Sequence, residues 1–402
     1  MATTADVLVV GGGLHGVSAA LHLARRGLKP VVLEKDHVGR HASGVNAGGV
    51  RRLGRHLAEV PLSVAAMEMW HRIGDLVGDD CGFESHGQVK VAETEAELAA
   101  LAARVETLRD LGFAHEDLIG RADLKAMVPA ISDHCVGAII ARGDGAANPY
   151  RTTLAFRRAA ERAGARVEEG ARVAGLKRAG HEWQATTAGG DRYAAPVVVN
   201  AAGAWAGRIA AGLGEPVPLE VIAPMLMITA RLPPFLEPVV GAAGRPLSFK
   251  QYANGTVLIG GGHRGRPDAD ANRTELDFRG LAASARTVWD LFPIMRGAQI
   301  VRAWAGIEAR MPDDIPVIGP SAVAPGVFHA FGFSAHGFQL GPVVGSIIAE
   351  LITTGATNLP IAPFDIRRFG SACSGGTEGP IGAEERPAAA GAGSGWRSSA
   401  RT

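Results

Sequence analysis

Apolar and polar positions change their period several times along the chain, and each change marks an element. Val7–Val10 is a four-residue apolar run, the pattern of a short buried strand. It runs into glycines, after which Leu14–Arg26 has helical spacing and stops at Gly27. Pro30–Glu34 reads as a second strand, so the opening is a βαβ unit and predicts a parallel sheet with a right-handed crossover. Pro61–Leu76 and Glu93–Leu111 read as amphipathic helices, the latter through its EAELAALAARVETL spacing. Pro149–Ala163 is another helix, closed by Gly164. Arg166–Glu168, Ala171–Lys177 and Trp183–Ala188 follow as strands, and Pro196–Asn200 is a buried strand running into AAGAW.

Near Glu215 the pattern changes. Pro218–Thr229, Leu247–Tyr252 and Thr256–Gly260 read as longer strands, with Asn254-Gly255 a strong hairpin turn. This predicts a mainly antiparallel sheet carrying Arg279–Leu291 as a helix. After Gln299 the alternation of short buried strand and helix returns: Gly326–Ala330 is a buried strand and Phe338–Thr353 a helix capped by Gly355. From Ser371 to Thr402 Gly, Ala, Ser and Pro dominate, with Trp396 the one large apolar residue, a composition that predicts disorder.

Composition narrows the class. Lys+Arg number 41 against Asp+Glu 40, a formal net charge of +1, which argues against a nucleic-acid binder. No apolar run approaches the ~20 residues of a membrane span, and the N-terminus lacks a basic signal region. Cys81, Cys135 and Cys373 are isolated, which excludes a disulfide framework and disfavours a metal or iron–sulfur site. The expected location is cytoplasmic. Glycine stands at 54 of 402 residues, well above the usual ~7%, which directs attention to ordered loops.

The first such loop is VVGGGLHG. Gly11, Gly13 and Gly16 form G-x-G-x-x-G between strand and helix. Gly11 suits the tight turn, Gly13 close approach of a pyrophosphate and Gly16 close packing of helix on strand. The helix N-terminus offers N–H groups and partial positive charge to phosphates. Glu34, at the end of the second strand, can accept from both ribose hydroxyls and would repel a 2′-phosphate, which argues against NADP. The fingerprint alone leaves NAD and FAD open. The late return of the strand and helix pattern, at Val197–Ala206 and Gly326–Phe338, favours the longer FAD.

Five blocks then carry a resemblance: VVGGGLHG with Glu34, HASGVNAGGVR at 41–51, NPYR at 148–151, NAAGAWA at 200–206, and WAGIEARMPDDIPVIGP with GFSAHGFQLG at 304–320 and 332–341. Over nearly all of 5–370 the chain resembles the FAD-dependent D-amino-acid oxidase superfamily, in its sarcosine oxidase, glycine oxidase and proline or hydroxyproline dehydrogenase branch. The resemblance implies an α/β fold: an FAD-binding Rossmann-like domain of the glutathione reductase type with an inserted, mainly antiparallel α+β substrate domain. The boundaries it suggests are 1–80, 146–215 and 300–370 for the first domain, 81–145 and 216–299 for the second, and 371–402 for the tail. It implies non-covalent FAD held at Gly11, Gly12, Gly13, Leu14, His15 and Gly16, with Glu34 on the ribose and Lys35 beside the adenine. His41, Ser43, Asn46, Ala47 and Gly48 would line the pyrophosphate and flavin edge, Val173 the adenine, and Ala201, Ala202 and Gly203 the adjoining wall. Gly306, with Gly332, Phe333, Ser334, His336, Gly337, Phe338 and Gln339, would surround the flavin. The implied chemistry is oxidation of a C–N bond by hydride transfer to flavin N5.

On the substrate side the resemblance puts Arg51 at a carboxylate-pairing position and His263 at an active-site histidine. Lys250 and Tyr252, two apart on one strand, share a face. The chain departs from the family's pattern at four positions. Gly306 stands where monomeric sarcosine oxidases carry a flavin-linking cysteine, and Gln339 where they carry a carboxylate-binding lysine. Ile259 stands where the oxygen-activating lysine would be, which favours a dehydrogenase that passes electrons to an acceptor protein or partner subunit. Glu308 stands where glycine oxidases carry an arginine. A carboxylate there repels a plain amino acid's carboxylate and attracts an amine or hydroxyl, which favours a cyclic, N-substituted or basic substrate. Oxidation of an amino acid or secondary amine is the leading expectation. The alternatives are a flavin-dependent 2-hydroxy acid dehydrogenase, the flavin-bearing subunit of a hetero-oligomer and, more distantly, an NAD dehydrogenase.

Overall fold

The computed structural model describes residues 2–373. The expected disorder of the tail, including Trp396, lies outside the described residues beyond Cys373.

The opening βαβ unit forms as the apolar pattern predicts. Val7–Val10 and Pro30–Leu33 pair in parallel, Val9 opposite Val32, and the helix Leu14–Arg25 crosses between them. All eight strand residues are buried. On the other side of Val7–Val10 lies Val197–Asn200, also parallel, and beyond it Val327–Phe331. Val317–Pro320 and Arg166–Glu168 complete a six-stranded sheet at its two edges. Segments from the start, middle and end of the chain thus build one sheet. Its parallel strands end together where a ligand of a doubly wound sheet binds.

The helix Gly337–Thr354 packs along Leu14–Arg25. A Cβ on Gly341 would overlap Leu14, and one on Gly345 would overlap the Ser18 hydroxyl and lie 2.5 Å from its backbone carbon. Gly355, with φ +79°, ends the helix as expected. This helix is apolar and long enough to cross a membrane, but most of it is buried inside the protein. Leu14, Val17, Leu21, Leu340, Val344 and Ile348 are at most 1% exposed in this layer. Each such side chain contributes ~1.5–3 kcal/mol of burial free energy.

The second sheet has eleven strands. The predicted hairpin forms: Ser248–Gln251 pairs antiparallel with Val257–Gly260, and Gly255 takes φ +86°. Glu220–Thr229 runs beside it, and Phe278–Leu291 packs on the outer face, capped by Asp277 Oδ1 accepting from the Arg279 N–H.

Three expectations are corrected here. Pro61–Leu76 is two helices, Val60–Trp70 and Ile73–Val77, because the chain opens at Arg72, whose φ and ψ are −121° and 25°. Gln88–Ala92, Asp117–Gly120 and Gly137–Ala141 are strands of the second sheet, although the pattern gave only a helix in that stretch. Ile300–Ala305 also belongs with that sheet, pairing antiparallel with Glu220–Thr229 rather than joining the nucleotide segments from residue 300.

Candidate active site

At the end of the first strand Gly11 takes φ +107°, and a Cβ there would overlap the Ala201 carbonyl of the adjoining strand. Gly16 is buried beneath the turn, where a Cβ would overlap the Gly11 carbonyl. Gly13 precedes the helix without a side-chain cap, so the N-terminal N–H groups face outward past a bare backbone. One of them, on Leu14, donates to Ser43 Oγ at 2.9 Å. Glu34 is fixed by the N–H groups of Gly12 (2.6 Å to Oε2) and Asp36 (2.9 Å to Oε1). Its burial raises its pKa above the ordinary carboxylate value.

A cavity of about 1180 Å³ reaches from this turn past Ser43, Asn46 and Gly48 to Gly306, Glu308 and the loop Gly332–Phe338. That loop holds three left-handed residues, Gly332 (φ +76°), Ser334 (+50°) and Ala335 (+66°). Two of them bear side chains, so the loop is strained and needs anchors. Ser334 Oγ accepts from the Met311 N–H at 3.0 Å, and the Ala335 N–H donates to Glu308 Oε1 at 2.7 Å. The helix beginning at Gly337 then turns its free N–H groups and positive dipole end toward the cavity. Arg55, 1% exposed, supports the loop from below. It donates to the His336 carbonyl at 2.8 Å, to Gln339 Oε1 at 3.2 Å and to the Arg51 carbonyl at 3.0 Å. Burial lowers its pKa to about 9. Glu59 is fully buried beside it and bonds His336 Nδ1 at 3.1 Å.

Most of the expected cofactor residues line the cavity: Gly11, Gly13, Leu14, His15, Glu34, Lys35, His41, Ser43, Asn46, Ala47, Gly48, Val173, Ala201, Ala202, Gly203, Gly306, Gly332, Phe333, Ser334, His336, Gly337 and Phe338. Gly12 and Gly16 stand behind the wall and shape it. Lys35 lines the cavity with its ammonium engaged, 2.7 Å from Asp36, 2.6 Å from Asn272 Oδ1 and 3.9 Å above the Trp205 ring. His15 stacks on Phe333 at 3.6 Å, and burial lowers its pKa to about 3, so it is neutral.

Gln339 is a correction. It is fully buried outside the cavity wall, tied by its side chain to Arg55 and to the Ser63 carbonyl (2.8 Å), with its own carbonyl accepting from Trp70 Nε1. One helical position past Phe338 rotates it off the cavity face. His263 is also corrected: its Cβ faces Gly280 on the outer helix, while its neighbours Gly262 and Arg264 line the cavity.

Tyr252 and Lys250 share a face, Nζ standing 4.8 Å from the Tyr252 ring, but neither lines the cavity. Lys250 reaches the wall from behind, its Nζ 3.2 Å from where a Gly48 Cβ would stand. Burial lowers its pKa to about 7. Ile259 faces the opposite, apolar side of the sheet with Phe249.

Arg51 and Glu308 both line the cavity. Arg51 donates only to the Leu53 carbonyl, at 2.6 Å, and among the described residues has no carboxylate partner. Burial raises the Glu308 pKa to about 7. Arg55, Glu59 and Lys90 also belong to this region and were not singled out from sequence. Arg55 follows Arg51 by four positions in RRLGR, a spacing that could have marked it.

The wall fits FAD. It offers bare glycines and helix N–H groups for a pyrophosphate, a fixed carboxylate for a ribose diol, and a second helix N-terminus for the electron-rich edge of a flavin. His15 Nε2 and Lys250 Nζ are buried with no partner among the described residues. At Gly306 a Cβ would overlap Val45, so the site has no room for a linking side chain there.

The family of FAD-dependent oxidoreductases called DAO matches residues 6–351, so the chain belongs to it. It is an enzyme, an FAD-dependent oxidoreductase. The chain is 27% identical to a glycine oxidase of Geobacillus kaustophilus over 90% of this chain and 97% of that protein. It is 29% identical to a subunit of the opine oxidase of Rhizobium meliloti, with the same two coverages. Its structure is similar to that of L-proline dehydrogenase from P. horikoshii, with a TM-score of 0.86, 28% identity, and 92% and 99% of the two chains covered.

Proposed function

We propose that the chain oxidises the C–N bond of a secondary amine or amino acid that carries a carboxylate. Bound FAD supplies the acceptor for the two electrons and the hydrogen that leave carbon; water then hydrolyses the imine. Arg51 grips the substrate carboxylate, since a guanidinium makes two parallel bonds to it. Glu308 has one oxygen fixed by the Ala335 N–H and offers the other to the substrate's N–H. With a pKa of about 7 it can hold or release the amine's proton near neutrality. Gly332–Phe338 and the helix N-terminus behind it favour negative charge on that wall.

The observation that carries this reading is the pairing, in one cavity, of a guanidinium without a carboxylate partner and a carboxyl held by a single backbone N–H. The names of the similar proteins, a glycine oxidase, an opine oxidase subunit and a proline dehydrogenase, support the same class. Anaerobic addition of sarcosine, proline isomers, D-alanine and a 2-hydroxy acid to the purified flavoprotein tests it. One or more amines should bleach the flavin bands; bleaching by the hydroxy acid alone would refute the proposal.

A second reading, that the chain is the flavin-bearing subunit of a larger enzyme, has its own support. Phe278 (76% exposed), Trp289, Ile294, Ile300 and Val301 are large apolar side chains left at the surface of consecutive segments. Phe278 and Trp289, eleven apart, fall on one helix face. Light scattering on the isolated chain and on the chain co-purified from its source cells tests this; a monomer in both would exclude it.

A further inference from the structure

Next to Arg51 in the cavity wall stands a second cation, Lys90. It lies on the strand Gln88–Ala92 of the substrate sheet and is only partly exposed. Among the described residues no carboxylate lies within 4 Å of its Nζ and no group accepts a hydrogen bond from it. Lys90 Nζ and Arg51 Nη1 each come to 3.9 Å from the point where a Cβ on Gly54 would stand. The two charges are therefore no more than twice that distance apart.

The surrounding carboxylates are already committed. Asp144 takes Arg52 and the N–H groups of Arg52 and Leu53. Glu116 takes Arg104 and the Gly54 N–H. Glu59 takes His336 and lies 4.0 Å from Arg55. Three acids thus meet three arginines, and Arg51 and Lys90 are left over. Burial, and then the neighbouring charge of Arg51, lower the Lys90 pKa, as a like charge in a partly desolvated wall does. Two positive charges facing the cavity without a protein carboxylate can each take a carboxylate from a bound molecule.

We infer that Arg51 and Lys90 form a two-cation subsite that holds two carboxylates of one substrate, which makes the substrate a secondary amine with a carboxylate on both flanking carbons. This rests on the amine-oxidation reading above. In such a molecule four bonds separate the carboxyl carbons, a span on the order of 5 Å when extended, short enough for two cations no more than twice 3.9 Å apart to hold one carboxylate each from the same side. The amine lies between the carboxylates, and its N–H is the partner Glu308 offers to take. A plain amino acid would satisfy Arg51 and leave Lys90 unmatched.

The test uses the FAD-loaded enzyme, with thiodiacetate, a diacid that has no C–N bond to oxidise, and methylthioacetate, its one-carboxylate counterpart. Titration calorimetry should show the diacid binding at least tenfold more tightly. Lys90→Met should lower diacid affinity about tenfold, and Lys90→Arg should restore it. In turnover, the preference for iminodiacetate over sarcosine in kcat/KM should fall about tenfold in Lys90→Met. Equal affinity for the two acids, or a diacid preference unchanged in Lys90→Met, would overturn the subsite even if amines bleach the flavin. Lys90-dependent diacid binding with no amine oxidised would keep the subsite and refute the amine reading. A preference for N-(phosphonomethyl)glycine over iminodiacetate would overturn the two-carboxylate assignment.

Discussion

Glu308 shows how much one side chain can be read in advance. Its position marked it as unusual, and turning aside to a neighbouring arginine would have been the ordinary outcome. Instead the Ala335 N–H holds it. That donor exists because Ala335 takes a left-handed backbone, which no residue pattern predicted. Burial raises the Glu308 pKa from 4.5 to about 7, so between those values the folded state binds the proton and the unfolded chain releases it. Stability should therefore fall as pH rises from about 4.5 to about 7 and level off above, by on the order of 3 kcal/mol. Glu308→Gln should lack this slope, and urea unfolding of both proteins at pH 5 and pH 8 checks it. Arg55 is the converse, a residue invisible in advance whose role is clear in the fold. Replacing it with Met leaves the buried Glu59 with His336 as its one close partner and strips three acceptors of their donor. The expected loss is about 3–5 kcal/mol, read as a lower urea midpoint. The misplaced candidates share one cause. His263 and Gln339 lie one position from cavity-lining neighbours, and a resemblance in sequence does not settle the side to which a chain segment turns its side chains.

Helices and strands were legible where their burial is one-sided or complete. The opening βαβ unit, the helices Pro149–Arg162 and Gly337–Thr354 and the hairpin at Gly255 formed within a residue or two of expectation. Gln88–Ala92 and Gly137–Ala141 were missed because each is only five residues long and the strands that flank Gln88–Ala92, namely Gly137–Ala141 and Val239–Ala242, lie far off in the chain. Gly341 and Gly345 mark a close neighbour, as their spacing suggests, and that neighbour is the fingerprint helix. The contact sets the angle at which the helix N-terminus meets the phosphate-binding turn. Gly345→Val should therefore force the two helices apart, at a cost of about 1–3 kcal/mol or more. Differential scanning calorimetry should show a lower Tm, together with weaker flavin retention on gel filtration.

At the scale of the whole molecule, the division between the six-stranded and eleven-stranded sheets, two of the four among the described residues, was legible from the change of pattern near Glu215. The assignment of every strand to its sheet was not, because Ile300–Ala305 pairs across the molecule with Glu220–Thr229. Such long-range pairing leaves no local trace in sequence. The two sheets also meet at Asp36 and Asn272, whose amide lies 3.1 Å from the Asp36 carboxylate, and at Trp205, which donates to the Ala269 carbonyl. The cavity wall is therefore shared by segments far apart in the chain, from Gly11 to Phe338.

The order of strands in the six-stranded sheet also has a consequence for the ribosome. Val7–Val10 and Leu14–Arg25 leave the exit tunnel first, yet the helix that covers them, Gly337–Thr354, follows roughly 300 residues later. At typical translation speeds that gap is on the order of half a minute. Throughout it the side of the first helix that Gly337–Thr354 covers lacks its native partner, although Pro149–Arg162 already packs on another side, and a holdase chaperone is the natural substitute. Nascent chains arrested at residue 320 should co-purify with such a chaperone and be digested by a trace of protease. Chains arrested with residues 1–373 outside the tunnel should do neither.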